Sequence, residues 1–114
     1  MNMNLVIKRV KISVTIPPEN VEAVRKAVCE AGAGIIGNYD YCSYASKVTG
    51  TFRPNDQANP YIGENNKLEF VDEINLEFIC PVEKAREVVA ALRQAHPYEE
   101  PSIEIVPLLD DLLG

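Results

Sequence analysis

The stretch "VIKRVKISVTIPPENVEAVRKAVCEAGAG", residues 6 to 34, holds a strand, a stop, a helix and a second stop in one run. Val6, Val10, Ile12, Val14 and Ile16 share one parity, with Lys8 as the exception, while Arg9, Lys11, Ser13 and Thr15 take the other. Such alternation marks a strand with one covered face. Pro17 and Pro18 cannot donate to a sheet ladder and suit the first turn of a helix. Val21, Val24, Val28 and Ala31 then recur at helical spacing, and Gly32 and Gly34 follow as terminators.

The same order returns after a shift of 64 residues, which lays Pro17 on Pro81, Val21 on Ala85, Val24 on Val88, Val28 on Leu92 and Ala31 on Ala95. Ahead of Pro81, Leu68, Phe70, Ile74, Leu76 and Phe78 share one parity and Glu69, Glu73 and Glu77 the other, so this strand too is expected to be half covered. "CPVEKAREVVAALRQAHP", residues 80 to 97, is a helix with Ala85, Val88, Val89, Leu92 and Ala95 as its buried stripe and Pro97 as its stop. Tyr41 to Phe52 is a strand interrupted by small residues and a glycine. A loop rich in Asn, Pro and Gly covers about 53–67, and loops this long are usually functional or mobile. Ser102 to Val106 is a last short strand, and "LLDDLLG" a final helical turn. The order β-α-β-β-α-β is that of a ferredoxin-like fold, class α+β: a four-stranded antiparallel sheet with two helices on one face, in one domain over 1–114. The uncovered face is expected to carry Ile7, Ala45, Ile79 and Ile103, or their neighbours, which favours a second copy to cover it.

Composition narrows the function classes. The 114 residues are 46% apolar and carry a formal charge of −6, split as +2 over residues 1–57 and −8 over 58–114. An acidic chain with no basic cluster argues against nucleic acid as partner. No segment approaches eighteen apolar residues, so no membrane helix is expected. Cys29, Cys42 and Cys80 are odd in number and far apart, which suits free thiols in a reducing compartment and a cytoplasmic location.

Two long motifs carry a family resemblance. "GAGIIGNYDYCSYASKVTGTFRPNDQANPYIG", residues 32 to 63, and "HPYEEPSIEIVPL", residues 96 to 108, resemble the inserted domain of the NIF3-like proteins, the YqfO insertion domain, standing alone. The resemblance implies the ferredoxin-like fold shared by CutA1 divalent-ion-tolerance proteins and PII signalling proteins, and self-association, with a trimer favoured over a dimer. It also implies that the two-metal site of the longer proteins, built from several histidines and carboxylates, belongs to their flanking domains. Asn65-Asn66 stands where a glycine is more usual, and Ser102 where alanine is commoner.

His96, the one histidine, closes the second helix, where the helix dipole is expected to favour its charged form. It is the candidate metal ligand, for zinc or copper, with Cys42, Cys80 or another copy completing a site; a helix cap and interface corner is the alternative. Glu99 and Glu100 lie in extended chain, so their side chains diverge. The glycines of "AGAGIIG" follow a helix instead of opening one, which suits a left-handed cap better than a phosphate loop. Asn38, Tyr39 and Cys42 just beyond can line a cleft. The loop supplies Phe52, Arg53, Pro54, Asn59, Pro60, Tyr61 and Gly63, and the corner adds Tyr98, Glu99 and Glu100; aromatic residues and Arg are the usual anchors of interfaces. One histidine and no paired acid–base set give no catalytic constellation. The expected function is a non-catalytic, oligomer-forming interaction or regulatory module with a protein client. The alternative is a small-ligand or divalent-metal sensing module with its pocket at subunit junctions.

Overall fold

A computed structural model describes residues 6–113. Its elements are β1 (Arg9–Ile16), α1 (Val21–Glu30), β2 (Tyr44–Phe52), β3 (Glu69–Pro81), α2 (Ala85–Ala95) and β4 (Ile103–Pro107). The strands form one antiparallel sheet in the order β2-β3-β1-β4. This is the ferredoxin-like α+β arrangement expected from the sequence.

The two halves repeat in their backbone as well as in their residues. Pro17 takes φ −55° and ψ 138°, and Pro81 takes −58° and 140°. Each proline leads into a single 3₁₀ turn, Pro18–Asn20 and Val82–Lys84, and then into an α-helix. Proline's fixed φ places the chain for that turn in both cases. At the far end of α1, Gly32 and Gly34 take φ of +119° and +78°, and Ala33 N–H returns to the carbonyl of Val28. Such a left-handed exit favours glycine.

Val10, Ile12, Val14 and Ile16 of β1 meet Leu76, Phe78 and Cys80 of β3 on the helix side of the sheet. Val21, Val24 and Val28 of α1 and Val88 and Leu92 of α2 close over them. Ala85, Val89 and Ala95 pack partly buried around that core, as the predicted stripe requires. Each fully buried Val, Leu or Phe contributes about 2 kcal/mol through removal of apolar surface from water.

The opposite face is more polar than the sequence led us to expect. Its cross-strand pairs are Ser13 with Glu77, Thr15 with Asn75, and Ser46 with Asn75, and Lys11 Nζ lies 3.3 Å from Glu77. Ile79, Val48, Val71 and Val106, with the rings of Tyr44 and Phe52, are the apolar members, whereas Ala45 opposite Leu76 and Ile103 opposite Val14 take the helix-side parity. The register reverses those two expectations, because one residue of slip moves a side chain to the other face.

β3 outruns its neighbour. Residues Ile74 to Pro81 pair with β1 and β2 flanks the first part, so Glu69 to Glu73 pair with β2 alone. Leu68 and Phe70 therefore keep the core parity but lie beyond the helices, and Phe70 is 66% exposed. Their expected burial is corrected by the length of the helix layer. Glu73 departs in the other direction: it is only 5% exposed, on the parity read as solvent-facing.

Candidate functional site

The groove begins where β1 stops. Ile16 is the last residue of β1 and lies opposite Ile74, so β1 no longer flanks β3 at Glu73. The corner at residues 96–102 runs here on its way from α2 to β4. Pro97 starts this course. A residue before proline avoids the helical region, and His96 is accordingly extended at φ −81° and ψ 134°.

That turn drives the imidazole inward. His96 Nε2 lies 2.8 Å from the carbonyl oxygen of Thr15, and its Nδ1 accepts the backbone N–H of Tyr98 at 3.1 Å. A carbonyl can only accept and an amide N–H can only donate, so the ring is the neutral Nε2–H tautomer. Burial pushes its pKa below the ordinary histidine value, partly offset by the Thr15 carbonyl and by the charge of Glu73. The helix-dipole expectation of a favoured imidazolium is thus overturned: desolvation outweighs the dipole at a ring 6% exposed.

Tyr98 carries the corner onto the sheet. Its hydroxyl donates to Glu73 Oε2 at 2.8 Å, and its ring sits 4.8 Å from His96, 6.4 Å from Phe52 and 6.2 Å from Tyr61 between centroids. Burial and the Glu73 carboxylate push the phenol well above its usual range, so it remains a donor. Gly50 makes room for Glu73: a Cβ there would stand 1.7 Å from Glu73 Oε1. A lone glycine inside a strand often marks such a close approach.

The loop between β2 and β3 closes the other wall. Asn65 Nδ2 donates to the carbonyls of Asp56 and Ala58 at 3.3 and 3.2 Å, and Asn66 Nδ2 donates to Asp56. Asn66 also takes φ +67°, the left-handed form that glycine would adopt without strain. Asn59 N–H donates to Glu99 Oε1 at 3.0 Å and ties the loop to the corner. Together these segments enclose a groove of about 590 Å³, within the range of ligand sites.

Phe52, Arg53, Pro54, Pro60, Tyr61, Tyr98, Glu99 and Glu100 line this groove. Asn59 braces it through Glu99, and Gly63, at φ +95°, turns the loop against Glu69. His96 lies beneath Tyr98 as a support. Asn38, Tyr39 and Cys42 are elsewhere, beyond the other end of β3, where Gly34 N–H donates to Ile79 and Cys42 N–H to Gly34. Among the lining residues that sequence reasoning missed are Glu73, Thr15, Val48, Gly50 and Ser102. The one signal for Glu73 was the glycine in β2.

The cysteines do not join His96. Cys80 pairs with Val10, five residues from Thr15 along β1, or roughly 17 Å at strand rise. Burial pushes its thiol up to about 11 and also raises that of Cys29, so neither is a ready thiolate. Among the described residues no three His, Cys, Asp or Glu side chains group as a metal site. A metal at His96 would have to displace Thr15 or Tyr98 from its ring.

No family model matches the chain. It is 46% identical over 101 residues, 89% of its length, to a protein of Halalkalibacterium halodurans named GTP cyclohydrolase 1 type 2 homolog, of which it covers 27%. The crystal structure of a Bacillus cereus protein related to NIF3 superposes with a TM-score of 0.77 at 39% identity, over 94% of this chain and 27% of that one. The periplasmic divalent cation tolerance protein CutA of Archaeoglobus fulgidus has the same fold, with a TM-score of 0.64 at 22% identity over 88% of this chain and 83% of its own. The PII-like protein CutA of Nostoc gives 0.65 at 14%, over 90% and 84%. The chain spans about a quarter of the length of the curated relatives it matches. In sequence and in fold it is therefore NIF3-like, homologous to one segment of the NIF3-related proteins, a segment with the fold of the CutA proteins.

Proposed function

We propose that the chain is a non-catalytic, oligomer-forming interaction module whose client binds in the groove between the β2–β3 loop and the 96–102 corner. The observation that carries this reading is a built recess. Distant segments meet there through Tyr98–Glu73 and Asn59–Glu99, and three aromatic rings stand together. Rings of this kind anchor protein interfaces. Self-association is supported by the β2–β3 arm, where Leu68 and Phe70 are exposed beyond the helix layer. The likeness to CutA1 and PII proteins favours a trimer. Three free cysteines with no pairing suit a reducing, cytoplasmic setting. The activity in the relatives' name stays with those longer proteins.

Multi-angle light scattering at micromolar concentration tests the assembly. A symmetric oligomer is expected, and a clean monomer would overturn it. The alternative is small-ligand or divalent-metal binding at a junction between copies, and the groove's volume and the CutA-like fold support it. Calorimetry with zinc, copper and nucleotides decides that reading, and no heat at millimolar ligand ends it.

A further inference from the structure

The groove has a sign. Glu73 on its wall and Glu99 and Glu100 at its corner set three carboxylates against the single guanidinium of Arg53. The half of the chain that supplies those carboxylates is also the strongly acidic half. Glu73 matters most, because its carboxylate is almost fully buried yet only one oxygen is used. Oε2 accepts the Tyr98 hydroxyl, whereas Oε1 accepts no hydrogen bond among the described residues. Oε1 is not sealed from solvent, the one side-chain polar atom buried without a partner among the described residues being Asn20 Oδ1, so it stays open to a donor that enters the groove. Tyr98 and its neighbours Phe52 and Tyr61 offer the second half of a cation site, since ring faces attract cations. An anion meets the reverse: repulsion by the carboxylates and by the negative faces of the rings.

We infer that the groove receives the guanidinium or ammonium group of a basic side chain presented by a partner protein, with Glu73 as its counter-ion and the aromatic cluster as its walls. This rests on the reading of the chain as an interaction module and names the chemistry that the module selects. A partner's side chain is favoured over a free small amine because the groove is far larger than one cationic group and runs open along the loop. The charge of the acidic half would also steer a basic partner surface toward it.

The test titrates the full chain, ¹⁵N-labelled, with N-acetyl-arginine methylamide, and in parallel with N-acetyl-norleucine methylamide and with ATP. At about 20 mM, enough to fill a millimolar site, the arginine probe is expected to shift the amides of Gly50, Tyr61 and Tyr98 saturably. The norleucine probe should bind at least about tenfold more weakly, the loss expected of one charge-assisted contact. Glu73→Gln keeps an acceptor for Tyr98 and should weaken the arginine probe by a similar factor while leaving the rest of the spectrum in place. No saturable shift, equal binding of the norleucine probe, an unchanged affinity in Glu73→Gln, or ATP occupying the groove each overturns the inference. Light scattering on the same samples separates the two ideas: an oligomer that ignores the arginine probe sinks this inference alone, and a monomer that binds it sinks only the assembly.

Discussion

Two tyrosine-bearing regions flank the ends of β3, and they are built on different principles. At one end, residues 33–43 are fastened through backbone: Gly34 to Ile79, Cys42 to Gly34, and the Ile36–Tyr39 bridge, with only local side-chain bonds from Cys42 and Ser43 to the carbonyls of Asp40 and Tyr41. Ala33 enters the core, but the larger apolar side chains face outward, with Tyr39 75% exposed and Ile35, Ile36 and Tyr41 exposed beside it. At the other end, residues 53–67 and 96–102 hold one another through side chains, around a carboxylate that neither segment owns. A motif of aromatic residues becomes a recess only when a distant segment supplies the group they pack around. Glu73 supplies it here, 25 residues before Tyr98.

Glycine substitution offers the strongest way to break that contrast. Gly50 lacks a positive φ and therefore needs no special backbone, so Glu73 alone explains why no side chain stands there. Valine ordinarily suits a strand. Gly50→Val should nevertheless destabilise the fold by about 3 kcal/mol in urea unfolding, because the branched Cβ evicts a buried carboxylate from its donor. Gly37 belongs to the other region, takes φ +57° and has nothing within 4 Å of a built Cβ. Gly37→Ala should cost only about 1 kcal/mol, the backbone penalty for a left-handed alanine. Equal costs at the two glycines would remove the distinction.

Next in size is the phenol itself. Tyr98→Phe preserves the ring cluster but removes the one hydrogen bond that Glu73 accepts among the described residues. A loss of about 2 kcal/mol in unfolding free energy is expected, typical of a charge-assisted bond removed from a buried carboxylate. Tyr39→Phe, at the exposed end, should stay within about 0.5 kcal/mol, as surface changes usually do. If both variants behave alike, Tyr98 is as loosely held as Tyr39.

The same contrast shows what a sequence exposes. Strand order, both helices and the 64-residue echo were legible because each rests on local periodicity and on proline, which act within one turn. Pro17 and Pro81 even agree in backbone angles. The eight lining residues from Phe52 to Glu100 were legible as aromatic, charged or proline positions in unusual segments. Glu73 was not, because a carboxylate at an alternate strand position reads as solvated unless its partner is known, and Tyr98 reaches it from another element. Phe70 failed for a different reason: parity tells which face a residue takes, not how far the helices extend over it. His96 was placed correctly at the helix end, but burial, not the dipole, sets its charge.

The smallest effect expected is a titration. His96 is held neutral, with burial lowering its folded pKa below the ordinary value; the Thr15 carbonyl and the charge of Glu73 only partly oppose that shift, while the Tyr98 N–H that donates to Nδ1 favours the neutral ring. The unfolded chain then binds the proton first. Stability should be level above about pH 6.5 and fall as the pH drops from there toward the folded pKa, below which this contribution stops changing. Each kcal/mol lost lowers Tm by about 4 °C for a chain of this size. Melting curves between about pH 7.5 and 5.5 read the effect before most carboxylates titrate. His96→Gln should be less stable throughout, since it forfeits the bridge between Thr15 and Tyr98, but its Tm should be flatter over that window. If the variant keeps the full slope, the proton is taken up elsewhere, and the corner's hold on the sheet does not depend on a neutral imidazole.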